Sequence, residues 1–201
     1  LVGAPGDDTS GIDDAGAAYL YERHAGGPSN WGRVARLTDT TPVINGAFGA
    51  LVDIDGNTAA VLSDSNHEVN IYERNQGGAD VWGWVQSLNF AQDIYALALT
   101  GNTLVIGMPE HHDVGEVRIH RRNQSGRNAW GEVVALAPSG LNAGDLFGDW
   151  VAAEGDIVVV GTPRDDERGT DAGAVYIFAR NRGGADAWGE VAKIYGSDIS
   201  G

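Results

Sequence analysis

The chain has 201 residues, no cysteine, 13 Lys+Arg against 28 Asp+Glu, and a formal net charge of -15. That charge argues against nucleic acid or an anionic membrane surface as the main partner, and the lack of cysteine excludes disulfides, thiolate metal sites and a cysteine nucleophile. Six Trp and 42% hydrophobic residues point to a packed core and thirty Gly to many turns, while no apolar run reaches the ~18 residues of a membrane-spanning helix.

Along the chain the same series of elements returns four times. The first copy opens with the apolar run Leu1-Val2-Gly3-Ala4-Pro5, then an acidic loop, the alternation Ala18-Tyr19-Leu20-Tyr21, and the phrase RHAGGPSNWG from Arg23. The second has Phe48-Gly49, the turn Asp55-Gly56-Asn57, the run Ala59-Ala60-Val61-Leu62 without Gly or Pro, Val69-Asn70-Ile71-Tyr72, and RNQGGADVWG from Arg74. The third has Tyr95-Ala96, the turn Gly101-Asn102, the run from Leu104 to Pro109, Val117-Arg118-Ile119-His120, and RNQSGRNAWG from Arg122. The fourth has Phe147-Gly148, the turn Gly155-Asp156, the run from Val158 to Pro163, Val175-Tyr176-Ile177-Phe178, and RNRGGADAWG from Arg180. Trp-Gly therefore recurs at intervals of 51, 48 and 58 residues.

A period of two in β-branched and aromatic residues predicts strands, and the continuous apolar runs predict strands buried on both faces. No stretch of eleven or more residues holds a helical apolar period free of Gly. Each unit reads as four strands. These are a Phe-Gly strand, a tight turn, a Gly-x-Pro strand, an acidic loop, an aromatic strand, a loop ended by Trp-Gly, and a last short strand such as Val133 to Leu136. Four-stranded units of ~50 residues suit propeller blades. The expected fold is all-β, one β-propeller domain or fragment over 1–201, with blades at 1–43, 44–89, 90–141 and 142–201. Leu1 falls inside a run that later follows a tight turn, so the first blade is expected to lack its first strand.

The pairing of Phe-Gly, as in Phe48-Gly49, with Gly3-Ala4-Pro5 resembles the FG-GAP repeat of integrin α-subunit β-propellers, and the Arg-to-Trp-Gly phrase looks like a bacterial branch of that family. The resemblance covers nearly the whole chain. It implies a seven-bladed propeller of ~350 residues used in extracellular recognition, of which this chain is expected to be a piece of about four blades, the alternative being a ring closed by four blades or by two chains together. It also implies a location outside the cell or at its surface. The calcium loop between first and second strands of integrin-type repeats is not carried over, because Asp53-Ile54-Asp55-Gly56-Asn57 is too short to supply the usual oxygens.

Propeller topology gathers the second-to-third strand loops on one face, expected to be acidic, and the Arg-bordered loops on a relatively basic opposite face. The strongest metal candidates are the phrases Asp7-Asp8-Thr9-Ser10-Gly11-Ile12-Asp13 and Asp165-Asp166-Glu167-Arg168-Gly169-Thr170-Asp171. Their carboxylates Asp7, Asp8, Asp13, Asp165, Asp166 and Asp171 could gather oxygens around Ca²⁺. The competing reading is a solvated turn whose Asp and Gly satisfy local backbone geometry. His111-His112-Asp113 shows no evident third ligand and reads as an exposed loop. His24, His67 and His120 sit where other copies have Asn, Gly, Tyr or Phe, which favours structural roles.

The four repeated Trp read as packing residues, while Trp84 and Trp150 break the pattern and suit a surface feature. No convergent acid, base or nucleophile is present, so no catalytic residue is named. The expected function is a non-enzymatic recognition or adhesion module for a protein or glycan partner, with Ca²⁺ as the candidate ion and open strand edges inviting self-association. The alternatives are a glycan-active enzyme with carboxylates at the channel face and a purely structural scaffold.

Overall fold

The computed structural model describes residues 1–136, 138 and 140–197; Ala137, Ser139 and residues 198–201, in the third and fourth expected blades, lie outside the described residues. The first three strands are β1 (Val2–Ala4), β2 (Ala17–Arg23) and β3 (Trp31–Leu37). They are followed by β4 (Phe48–Asp55), β5 (Thr58–Ser63), β6 (Glu68–Arg74) and β7 (Trp82–Asn89). Next come β8 (Ala96–Thr100), β9 (Thr103–Met108), β10 (Glu116–Arg122) and β11 (Trp130–Leu136), then β12 (Trp150–Glu154), β13 (Ile157–Thr162), β14 (Ala174–Arg180) and β15 (Trp188–Tyr195). Among the described residues the helical elements are two short 3-10 turns, Asp64–Asn66 and His111–Asp113, and no helix is long and apolar enough to cross a membrane.

The chain divides into two compact units, residues 1–91 and the residues from Gln92 onward. The first holds the sheets β1-β2-β3 and β4-β5-β6-β7; the second holds β8-β9-β10-β11 and β12-β13-β14-β15. Every pairing within a sheet is antiparallel between sequence neighbours, the meander of a propeller blade. The first sheet has three strands. Two-residue turns at Gly56-Asn57, Gly101-Asn102 and Gly155-Asp156 join the first two strands of the other blades.

Trp-Gly opens the fourth strand of each blade instead of ending the loop before it, which corrects the expected boundary. The dipeptide continues as Trp-Gly-x-Val in all four copies, and each Val is skipped in the pairing with the third strand. Leu20 pairs with Ala35 and Tyr21 with Arg33, leaving Val34 out; Val85, Val133 and Val191 are left out in the same way. One extra residue per fourth strand is a β-bulge, which bends the strand and increases its twist.

Within each unit the two sheets meet through backbone. In the first, Gly16 pairs in parallel with Phe48, and a Cβ on Gly3 would lie 1.9 Å from the Gly49 carbonyl oxygen. In the second, Gly115 pairs with Phe147, and a Cβ on Gly107 would lie 2.0 Å from the Gly148 oxygen. This is the physical basis of the recurring motifs: the Gly-x-Pro strand of one blade has no side chain where the Phe-Gly strand of the next crosses it. Phe48 and Phe147 are fully buried beside this contact, each edge-on to an aromatic ring of its own sheet, Tyr72 at 6.1 Å and Tyr176 at 5.5 Å. Burial of each Phe contributes about 1.5–3 kcal/mol. The cores follow: Ala18, Leu20 and Leu37 pack on Phe48, Ala59 and Val61 in the first unit, and Val105, Val117 and Ile119 on Phe147, Val158 and Val160 in the second.

Strands β5 and β9 are buried along their whole length, as continuous apolar runs predict, but β13 alternates. Its Ile157, Val159 and Gly161 share a face that is only partly covered, and Gly161 has Trp150 Cβ as its nearest neighbour for a Cβ, at 3.4 Å.

Candidate functional site

The second-to-third strand loops and the loops that lead into the next blade share one end of each pair of sheets, held there by backbone hydrogen bonds. Asn45 and Ala47 N–H donate to the carbonyls of Asp13 and Asp14. Gly144 and Phe147 N–H donate likewise to Asp113 and Val114. The opposite end carries the Arg-to-Trp loops, built almost identically in each blade. Asn75, Asn123 and Asn181 adopt left-handed backbone, and their Oδ1 atoms accept the N–H of Asp80, Asn128 and Asp186 at 2.7–2.8 Å. His24 takes this place in the first blade, its Nδ1 accepting the Ser29 N–H at 3.0 Å. His67 is left-handed (φ 48°) where Gly16, Gly115 and Gly173 stand in the other blades. Both histidines are structural, as their positions in the repeat suggested.

The six candidate aspartates fall into two classes. Asp8 Oδ1 accepts the Asp14 N–H at 3.1 Å, and Asp166 Oδ1 accepts the Asp171 N–H at 2.6 Å. These closures, six and five residues apart in sequence, are the local loop geometry that Asp and Gly sequences favour. Asp13, exposed, contributes its carbonyl to Asn45.

Asp7 and Asp165 instead face side chains from the third and fourth strands of their own blades. Arg36 Nη2 lies 2.6 Å from Asp7 Oδ1, the Tyr19 hydroxyl donates to Asp7 Oδ2, and Arg36 also donates to Tyr19 at 3.2 Å and to Thr9 at 2.8 Å. The Tyr19 and Arg36 bonds hold the Asp7 carboxyl below the usual carboxylate range. In the fourth blade Lys193 Nζ bridges Asp165 Oδ2 and Glu167 Oε2, each at 2.7 Å, and the hydroxyls of Tyr176 and Tyr195 donate to Asp165 and Glu167. Burial disfavours a charged Lys193, but its bonds to Asp165, Glu167 and the two tyrosines outweigh this and raise its pKa. Asp165 is 1% exposed. At Asp7 and Asp165 a protein cation, Arg36 or Lys193, thus already sits where the expected Ca²⁺ would bind.

These two networks are one device repeated. Tyr19 is paired with Arg36 and Tyr176 with Lys193 across the same two strands. The second and third blades have Asn70 with Ser87 and Arg118 with Ala135 there, and lack the Asp-Asp loop. Sequence reading passed over Arg36 and Lys193, although each lies five residues after its Trp and accompanies the Asp-Asp phrase.

In the third blade His111 is 8% exposed, which corrects its reading as an exposed loop residue. A left-handed His112 (φ 51°) folds that ring back to a centroid distance of 3.7 Å from His111. Glu116, the first residue of β10, supplies the third ligand the sequence did not reveal: its Oε2 is 3.4 Å from His111 Nε2, while its Oε1 accepts from Arg118. Among the described residues, His111, His112 and Glu116 are the set of three whose ligand atoms converge, all within 4.8 Å.

Trp130 and Trp188 are buried and Trp82 is partly buried against the core of the first unit, in line with packing. Trp31 is 67% exposed; it belongs to the first sheet, and among the described residues no sheet precedes it. Trp84 and Trp150 are both exposed, and Trp150 lines a cavity of about 530 Å³ with Gly161, Ile194 and Tyr195.

No curated protein matches the chain. Residues 130–178 match the family model described as FG-GAP repeat, a span that begins at Trp130 of β11 and ends at Phe178 within β14. With the Phe-Gly and Gly-x-Pro strands meeting as described in both units, the chain is an all-β protein of propeller-type blades that carries an FG-GAP repeat over residues 130–178.

Proposed function

We propose that this chain is a non-enzymatic extracellular recognition module, which contacts a protein or glycan through the loops at one end of its blades. The observation that carries the reading is an asymmetry between the two ends. The Arg-to-Trp loops keep one length and one closing hydrogen bond with similar sequences, whereas the second-to-third strand loops, residues 5–16, 64–67, 109–115 and 163–173, differ in length and composition. Diversity on a rigid, repeated support is the arrangement of a binding surface.

The test is binding to a printed glycan array and to a displayed peptide library, with charge reversal at each end. Asp8→Lys, Asp13→Lys and Arg168→Glu, all exposed loop positions, are expected to abolish capture, and Arg127→Glu and Arg182→Glu at the other end to leave it intact. Capture lost only with the second set overturns the proposal.

A further inference from the structure

We propose that His111, His112 and Glu116 form a binding site for a divalent transition-metal cation of the zinc class. Two imidazoles and one carboxylate are borderline donors that suit Zn²⁺, Cu²⁺ or Ni²⁺ and are a poor match for Ca²⁺, which takes six to eight oxygens. Their ligand atoms already lie within 4.8 Å of one another. Ligands on a tetrahedral Zn²⁺ at ~2.0–2.1 Å sit ~3.4 Å apart, so closure needs a shift of up to ~1.4 Å, which the exposed His112 ring can make.

Three features show a set of side chains placed for a ligand and not imposed by the fold. The histidine pair occurs in one of the four loops, so the blade architecture does not require it. His111 is buried, and among the described residues its Nδ1 has no hydrogen-bond partner, a state that costs free energy until the ring acquires one. His112 and Asp113 both hold left-handed backbone at φ 51° and 64°, unusual for residues other than glycine, and it is this bend that lays His112 against His111.

The support is firm. Gly115 N–H donates to the His111 carbonyl at 2.9 Å and Gly144 N–H to the Asp113 carbonyl at 2.7 Å, which fixes the loop at both ends. Arg118 holds Glu116 through one oxygen and leaves the other toward His111, the outer partner that orients a ligating carboxylate. Three protein ligands leave one coordination position for water or for an oxygen or nitrogen of a bound molecule. The site does not depend on the recognition function proposed above.

The test is isothermal titration of the intact chain with ZnCl₂ after chelator treatment, alongside His112→Ala and Glu116→Gln. Wild type is expected to bind one Zn²⁺ saturably below about 10 µM, with at least tenfold weaker binding in each variant and no competition from millimolar Ca²⁺. Because His112 is exposed, its variant keeps the fold, and histidine Hε1 resonances assign the bound rings directly: His111 and His112 should shift on addition of Zn²⁺, and His24, His67 and His120 should not. Saturation absent up to 100 µM, equal affinity in His112→Ala, or shifts confined to His24 or His67 would each overturn the proposal.

Discussion

Gly107 lies so close to Gly148 that a β-carbon on Gly107 would come within 2.0 Å of the Gly148 carbonyl oxygen. No rotamer relieves that clash, because the β-carbon's position is set by the backbone and the atom it meets is a main-chain oxygen. Gly107→Ala must therefore push two sheets apart, and a loss of about 3 kcal/mol is expected. Gly161→Ala places the same methyl on the same strand position of the next blade, where its nearest neighbour is at 3.4 Å, and should stay within about 0.5 kcal/mol of wild type. Urea unfolding of the two variants decides it; equal losses would contradict the sheet contact.

His120 introduces a pH dependence. It sits where the other blades have Tyr21, Tyr72 and Phe178, and burial, with Arg118 nearby, lowers its pKa to about 4 from an ordinary 6.5. The unfolded chain takes up a proton between pH 6.5 and 4 that the folded chain refuses. Stability is therefore complete above pH 6.5 and falls as the pH drops through that window, by up to about 3 kcal/mol. His120→Phe, which installs the residue found at Phe178, should flatten this slope; an unchanged profile in urea midpoints from pH 7 to 4 would show that another group carries it.

The two Asp–cation networks should differ in strength because they differ in burial. Lys193→Met strands the buried Asp165 and is expected to cost about 3–5 kcal/mol, with Asp165→Asn in the same chain recovering most of it. Arg36→Met breaks a pair whose side chains are 35% and 25% exposed, and should cost under about 1 kcal/mol. Similar losses in the two variants, measured by chemical denaturation, would refute this ranking.

Calcium should leave the unfolding midpoint unchanged. Asp7 and Asp165 hold Arg36 and Lys193, and Asp8 and Asp166 close their own loops, so four of the six candidate carboxylates are already engaged and the rest fall short of the six to eight oxygens the ion takes. Thermal unfolding in millimolar Ca²⁺ against EDTA checks this. A rise of several degrees that disappears in Asp166→Asn would restore the acidic loops as calcium sites.

The strands were legible because their signal is local: a period of two, Gly-Asn or Gly-Asp turns, and a phrase repeated four times. The bulge was missed although Trp-Gly-x-Val stands in every copy, since pairing register is a property of two strands and not of one. The site was less legible for the same reason. Asp7 meets Arg36 across 29 residues, with β2 between them, so its loop looked free for a metal when only its own segment was read. His111 looked exposed because a left-handed turn at His112 has no marker when the residue is not glycine. Glu116 joined it only once the loop's end and the next strand's start were seen together.

The span from Trp130 to Phe178 crosses from one sheet into the next, so a single inherited segment contains both Phe147-Gly148, the plug, and Gly161, the matching socket. A gene that duplicates such a segment copies both halves of the joint at once, and the added blade fits its neighbours without compensating mutations. The joint is made of missing side chains and main-chain atoms, so drift in the loops cannot spoil it. Blade number can then change by tandem duplication while each new copy is free to diversify at the loop end alone.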